Sequence, residues 1–198
     1  MVTEARRIMA DQLYLSYRLR NFSPPSMLRH FEKLLCLFPH SRLARQPSTF
    51  RVIAVNYNEA PVLETPFSPP VSLEGVLAAA KDFENSDSCY RLETFWDLWQ
   101  YEQEWKILPV RVALCCYGPG FEHESDDQLR IEFGIDAHFL PQPELPGSLR
   151  MIQSNIKSLL KLVHDLDDAL PVDTRRLWSE SGENFSEKLH QALSAAVE

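Results

Sequence analysis

The chain has 198 residues with 44% hydrophobic and 11% aromatic content, which is typical of a folded globular protein of about one domain. It contains no run of about 18 apolar residues that could span a membrane and no apolar secretory block near its start, so we expect a cytoplasmic protein without a membrane partner. The formal net charge of −8 weighs against a nucleic acid partner.

The N-terminal third is expected to contain a strand, a helix and a second strand. Residues 12–20 alternate apolar and polar side chains, which predicts the first strand. Ser23, followed by two prolines, predicts the start of a helix that runs to Phe38. The second strand is expected over 49–57, and this order and spacing predict a crossover that joins parallel strands.

The middle of the chain is expected to begin with irregular structure. Residues 58–71 hold four prolines and are expected to form a loop or a broken edge strand. Ser72 caps a predicted short helix, and the polar residues 84–94 are expected to be a loop. Two strands, 110–117 and 128–140, then form a predicted antiparallel hairpin with a long acidic tip.

The C-terminal part is expected to be helical. A helix from Ser148 has apolar residues at alternating spacings of three and four, Pro171 ends it, and a last helix begins near Asn184. The whole pattern predicts one α+β domain over 9–198 after a loose tail over 1–8. Its sheet is expected to be mostly antiparallel with four or five strands and to be entered through a βαβ unit, with helices chiefly on one face and a C-terminal helical pair.

The predicted strand 128–140 provides the candidate metal site. Its apolar residues share one face, and Glu132, Asp136 and His138 share the other. Carboxylate oxygens and an imidazole nitrogen can ligate a divalent transition metal. The alternative is an ordinary solvated row of polar side chains on an antiparallel sheet, with Arg111 on the partner strand and Arg130 as cross-strand ion-pair partners.

Two groups of residues are candidates for an interaction surface. Five large aromatic residues crowd into 95–105, and among them Trp96 and Trp105 could be exposed for binding or could pack in the core. Asp165 and Asp168 stand near the C-terminus of the long helix, where carboxylates oppose the helix dipole. Either arginines further along the chain or a basic partner would compensate them.

Catalytic and nucleotide-binding motifs are absent from the sequence. There is no GxGxxG, P-loop, GxSxG or HExxH motif, so no cofactor is expected. The four cysteines form no CxxC pair and are expected to be reduced thiols; a nucleophile at Cys115 or Cys116 is an unspecific alternative. We predict a cytosolic, non-enzymatic module that binds a protein partner or self-associates. The alternative is a metal-assisted hydrolase using the polar face of strand 128–140.

Overall fold

One antiparallel β-sheet organises the protein, and the described helices cover one of its faces. The computed structural model describes residues 11–142, 144–182 and 184–195, so the predicted tail over 1–8 lies outside the described residues. In this part of the chain the strands are β1 (Gln12–Leu19), β2 (Ser48–Ala54), β3 (Leu63–Phe67), β4 (Ser88–Tyr101), β5 (Trp105–Tyr117), β6 (Leu129–Ile135) and β7 (Val172–Ser179). The α-helices are α1 (Met27–Leu37), α2 (Leu73–Ala80), α3 (Ser148–Ala169) and α4 (Phe185–Ala195).

The strand order across the sheet is β3-β2-β4-β5-β6-β1-β7, and every neighbouring pair is antiparallel. The predicted α+β class is therefore confirmed. The first strand, helix and strand follow in the expected order, and β1 and β2 point in the same direction. They are not neighbours, however, because β6, β5 and β4 lie between them.

Two strands lie where the sequence predicted something else. The segment 84–94, expected to be a loop, contributes the first half of β4, which begins at Ser88. β7 separates α3 from α4, so the two C-terminal helices are joined through a strand at the sheet edge. The predicted broken edge strand within 58–71 is present as β3.

The hydrophobic core lies between the sheet and the helices. Leu13, Leu15 and Tyr17 alternate along β1 and are fully buried on the helix side. The apolar seam of α3 faces the same core, where Ile152 is 1% and Leu159 is 1% exposed. Each Å² of apolar surface that is buried contributes roughly 25 cal/mol, so this layer is the main source of stability. Within the part of the chain that the structure describes, no helix packs on the opposite face of the sheet.

Candidate functional site

The strands direct alternate side chains away from the helices, and we call this helix-free side of the sheet the open face. The strand register aligns one side chain from each of the seven strands in a line across it. In order, the line contains Glu64, Arg51, Arg91, Cys115, Arg130, Ser16 and Arg176. This concentration of arginine contrasts with the net charge of −8 of the whole chain.

A network of ion pairs holds the arginines at one end of this line. Arg51 and Arg91 lie directly opposite each other, an arrangement that is unfavourable for like charges. Glu93 bridges them, with one carboxylate oxygen 2.9 Å from Arg51 Nη1 and 3.5 Å from Arg91 Nε. Arg91 also donates two hydrogen bonds to Glu132, at 2.9 and 2.7 Å. Glu132 is therefore engaged by a guanidinium on the open face.

The strand that carries Glu132 ends earlier than the sequence predicted. Gly134 has a φ of 77°, and the pairing of β1 with β6 shifts register beside it. This bulge interrupts the two-residue alternation, since a left-handed residue turns the chain out of the pleat. β6 stops at Ile135, and residues 136–139 form a 3-10 helix. Asp136 and His138 consequently do not share a strand face with Glu132, as had been expected.

The other two predicted metal ligands have separate environments. Asp136 is fully buried, and its carboxylate accepts hydrogen bonds from Lys188 Nζ at 2.6 Å and from the backbone N–H of Asp11 at 3.1 Å. Burial lowers the pKa of His138, and the nearby Asp136 only partly opposes this effect. Among residues 11–142, 144–182 and 184–195, no three His, Cys, Asp or Glu side chains are grouped so that they could hold a metal ion. The geometry therefore gives the metal hypothesis no support.

Arg130 is fixed at the centre of the open face. Its Nε and Nη2 donate to the two oxygens of Asp127 at 2.8 and 2.9 Å. Its guanidinium also lies 5.3 to 5.8 Å from the ring centres of Tyr14, Tyr117 and Trp178. Burial raises the pKa of Asp127, but the hydrogen bonds and charge of Arg130 outweigh it and keep this pKa below its usual value. The side chain of Arg130 is therefore held in place by an ion pair and by contacts with aromatic rings.

The buried cysteines of the sheet are poor nucleophiles. Cys115 is fully buried, and its sulfur lies 3.3 Å from Arg91 Nη1. Burial is the largest influence on the Cys115 thiol and raises its pKa to about 11, despite the opposing effect of Arg91. Burial also raises the pKa of Cys116. Because the thiolate is the reactive form, these thiols are inert near neutral pH.

One end of the open face is bordered by a pocket of about 580 Å³. Val55, which precedes it, has a φ of 69°, a conformation that β-branched residues rarely adopt. Its N–H donates to the carbonyl of Asp87 at 2.8 Å, and its carbonyl accepts from the N–H of Glu122 at 2.7 Å. These bonds hold Val55, which directly precedes the pocket residue Asn56, in a strained conformation. The pocket is lined by Asn56, Tyr57, Asn58, Glu122, His123, Glu124 and Arg130.

The most apolar part of the open face lies on the hairpin formed by β4 and β5. This hairpin projects beyond its neighbours, because β2 and β6 pair only with its base. On the projecting part, which we call the outer hairpin (residues 95–111), Trp99 lies opposite Ile107 and Tyr101 lies opposite Trp105. Ile107 is 43% and Tyr101 is 38% exposed. Large apolar side chains are thus presented to solvent in adjacent cross-strand pairs.

An arginine flanks this apolar strip. Arg111 is exposed, and its guanidinium lies 5.9 Å from the ring centre of Phe95. In the part of the chain that the structure describes, no carboxylate lies within ion-pair distance of Arg111. A guanidinium stacked on an aromatic ring keeps its hydrogen-bond donors available for a carboxylate.

The two tryptophans predicted for an interaction surface occupy different environments. Trp96 is 3% exposed and packs on the helix side against Phe38 and Phe133, so its alternative assignment to the core is the correct one. Trp105 is half-buried, and its indole N–H donates to the carbonyl of Pro146 at 2.7 Å. Only Trp105 therefore remains available at the surface.

The aspartates of the last turns of α3 have basic partners within the chain. Two of these partners lie one turn earlier on α3, and the third lies on β7. The pairs are Asp165 with Lys161, Asp168 with His164, and Asp167 with Arg175. These exposed or half-buried pairs contribute little stability, but they compensate the helix dipole without a basic partner molecule.

The sequence interpretation missed Arg91 and Arg176 as residues of the open face. Both lie in segments that were not assigned as strands, 84–94 and the region after Pro171. The available signal was the alternation of the core residues Tyr90 and Leu92 with Cys89, Arg91 and Glu93, a pattern that predicts a strand only if charged residues are allowed on one face.

Comparison of the chain with protein-family models, with curated proteins and with solved structures finds no match. Within the described residues, no helix is both long and apolar enough to cross a membrane. The assignment of function therefore depends on the site geometry alone.

Proposed function

We propose that this protein is a non-enzymatic interaction module and that the open face binds another protein. The observation that carries this proposal is the exposed apolar strip of the outer hairpin beside Arg111. Aromatic residues and arginine are enriched at the centres of protein interfaces, whereas lysine and glutamate are depleted there. The strip thus has the composition of an interface centre.

The rest of the open face supports binding more than catalysis. Arg91 and Arg130 are already paired with carboxylates. These ion pairs fix the two side chains, so the polar part of the open face is rigid. Rigid surfaces lose little conformational entropy on binding. The thiols of Cys115 and Cys116 have raised pKa values, so they do not supply a nucleophile. A second copy of this chain is one candidate for the partner.

We place the protein in the cytosol as part of this proposal. All four cysteines are free, and Cys89, Cys115 and Cys116 are buried close together in the strand layer without a disulfide. Unpaired buried thiols are typical of proteins in reducing compartments.

Site-specific photo-crosslinking tests the proposed surface. A benzoylphenylalanine introduced at Arg111 should capture a discrete protein or a second copy of the chain in cells that express it. The matched position is Arg29, an exposed arginine on α1. We expect crosslinks from position 111 and none from position 29. The proposal fails if neither position gives a discrete product or if both give the same set.

A further inference from the structure

The free edge of the sheet at β7 has properties that the open-face proposal does not use. Among the described residues, β7 is the last strand in the sheet order and pairs with β1 on one side only. The backbone N–H of Glu180 donates to the carbonyl of Gln12 at 2.9 Å, which fixes the alternation along the strand. Consequently the backbone N–H and carbonyl groups of Arg176 and Trp178 point toward β1, and those of Arg175 and Leu177 point away from it.

The length of this outward edge is limited at both ends. The register of β1 and β7 shifts at Arg18 and Leu19, which leaves Asp173 as a bulge. At the other end, Trp178 forms a bridge with Asn184. Bulges and covering segments are common protections of sheet edges. Because the backbone groups of Trp178 face β1, this bridge uses the outward groups of the residues beside Trp178. What remains is a short stretch centred on Arg175 that a strand of a few residues could pair with.

A groove runs beside this stretch on the helix side. It has a volume of about 360 Å³, and Leu160, Val163 and Leu177 provide its apolar wall. Leu160 is 55% exposed, more than any other large apolar side chain among the described residues. An extended segment along β7 would place every second side chain into this groove.

The intervening side chains of such a segment would lie on the open-face side, next to Arg176. Its guanidinium is exposed and lies 5.5 Å from the ring centre of Trp178. Over the described ranges, Arg176 has no carboxylate within ion-pair distance, whereas the adjacent Arg175 is paired with Asp167. An acidic side chain opposite Arg176 would form the ion pair that the chain itself does not provide.

We propose that the β7 edge binds an extended segment of a partner protein as an additional strand, with apolar and acidic side chains in alternation. A strand edge offers N–H and carbonyl groups in turn, and a peptide backbone matches both. A nucleic acid backbone presents acceptors without the matching donors, so a peptide is favoured. This site lies on the sheet edge, and the experiments that test it do not depend on the open-face proposal.

Fluorescence anisotropy with a labelled peptide of alternating leucine and glutamate, titrated with the full chain, tests the site. We expect saturable binding that Arg176→Glu weakens by about tenfold or more, while Arg111→Glu leaves it unchanged. Leu160→Asp should also weaken binding, and Leu43→Asp, at a similarly exposed leucine away from the groove, should not. Circular dichroism of each variant checks that it is folded.

Two N-methylated peptides test the strand pairing without altering the protein. Methyl groups on one alternate set of amides face β7 and should abolish binding, whereas those on the other set point away and should leave it intact. The proposal is overturned if the two methylated peptides bind with equal affinity or if no saturable binding is found. It is also overturned if Arg176→Glu and Arg111→Glu weaken binding equally. Binding of single-stranded oligonucleotide that displaces the peptide would overturn it in favour of nucleic acid.

Discussion

Asn155 of α3 binds the backbone of Trp99 on β4 as a neighbouring strand would. Its side-chain oxygen accepts from the N–H of Trp99 at 2.9 Å, and its side-chain nitrogen donates to the carbonyl of Trp99 at 2.9 Å. The same nitrogen donates to the carbonyl of His138 at 2.8 Å. Asn155 is 2% exposed, so one polar residue in an apolar seam joins the helix layer to the back of the outer hairpin.

Replacing Asn155 should therefore destabilise the fold strongly. Asn155→Leu leaves the N–H and carbonyl of Trp99 buried without partners, and we expect a loss of about 2–4 kcal/mol in the free energy of unfolding. Urea denaturation measures the loss. Ser154→Ala, at the exposed neighbouring position, is the control and should change stability by less than about 0.5 kcal/mol. Equal stability of the two variants would refute this role.

The pair of Arg91 and Glu132 should contribute to stability and not to metal binding. Glu132→Gln removes the charge that compensates a guanidinium whose side chain is only 19% exposed. We expect a loss of about 1–3 kcal/mol in unfolding free energy. Glu64→Gln, at a carboxylate that is 54% exposed, should cost less than about 0.5 kcal/mol. A similar loss of unfolding free energy in both variants would mean that the ion pairs of Arg91 contribute no more to stability than an exposed ion pair does.

Metal ions should not stabilise this protein. Since Glu132, Asp136 and His138 are held apart, we expect that zinc and manganese leave the melting temperature unchanged and that the purified protein contains no stoichiometric metal. Differential scanning fluorimetry and elemental analysis measure both. A one-to-one metal content that disappears in His138→Ala would instead establish the metal site on which the hydrolase alternative depends.

Mild acid should weaken the fold through its buried histidines. Burial lowers the pKa of His30, His40, His123 and His138 in the folded state. The unfolded chain, with histidine pKa values near ~6.5, then binds more protons, so the contribution of these residues is present above that pH and is lost as pH falls through the folded values. The urea midpoint should drop between about pH 7 and about pH 5.5. His40→Gln should reduce this drop, and a midpoint that does not change would contradict the assignment.

The sequence predicts best those elements whose burial is one-sided. The seam of α3 and the alternation of β1 are buried as expected, because a single apolar stripe or face leaves only one way to pack. The first part of β4 was missed since Arg91 and Glu93 make its open face as polar as a loop. Their partners, Arg51 and Glu132, are distant in the chain, so the charge pairing is visible only once the strands are aligned.

The candidate sites needed the structure for similar reasons. Four of the eight side chains of β7 are exposed and only Ser179 is buried, so the strand has no apolar alternation to reveal it. The predicted alternation of Glu132, Asp136 and His138 along one strand ends at a single residue, Gly134, whose left-handed conformation interrupts the pattern that the sequence extends to Leu140. A glycine within a strand pattern is a known sign of a bulge, and Gly134 is the local signal in the sequence that the strand ends early.

The affinity of the crosslinked partner for two charge-reversal variants is the most direct test of the open face as a binding surface. Arg111→Glu changes an exposed arginine on that face, and Arg29→Glu makes the same change on α1. By isothermal titration calorimetry, we predict that Arg111→Glu weakens the complex by about tenfold or more and that Arg29→Glu leaves it unchanged. Weakening by Arg29→Glu, with Arg111→Glu binding as tightly as the unmodified chain, would contradict the account.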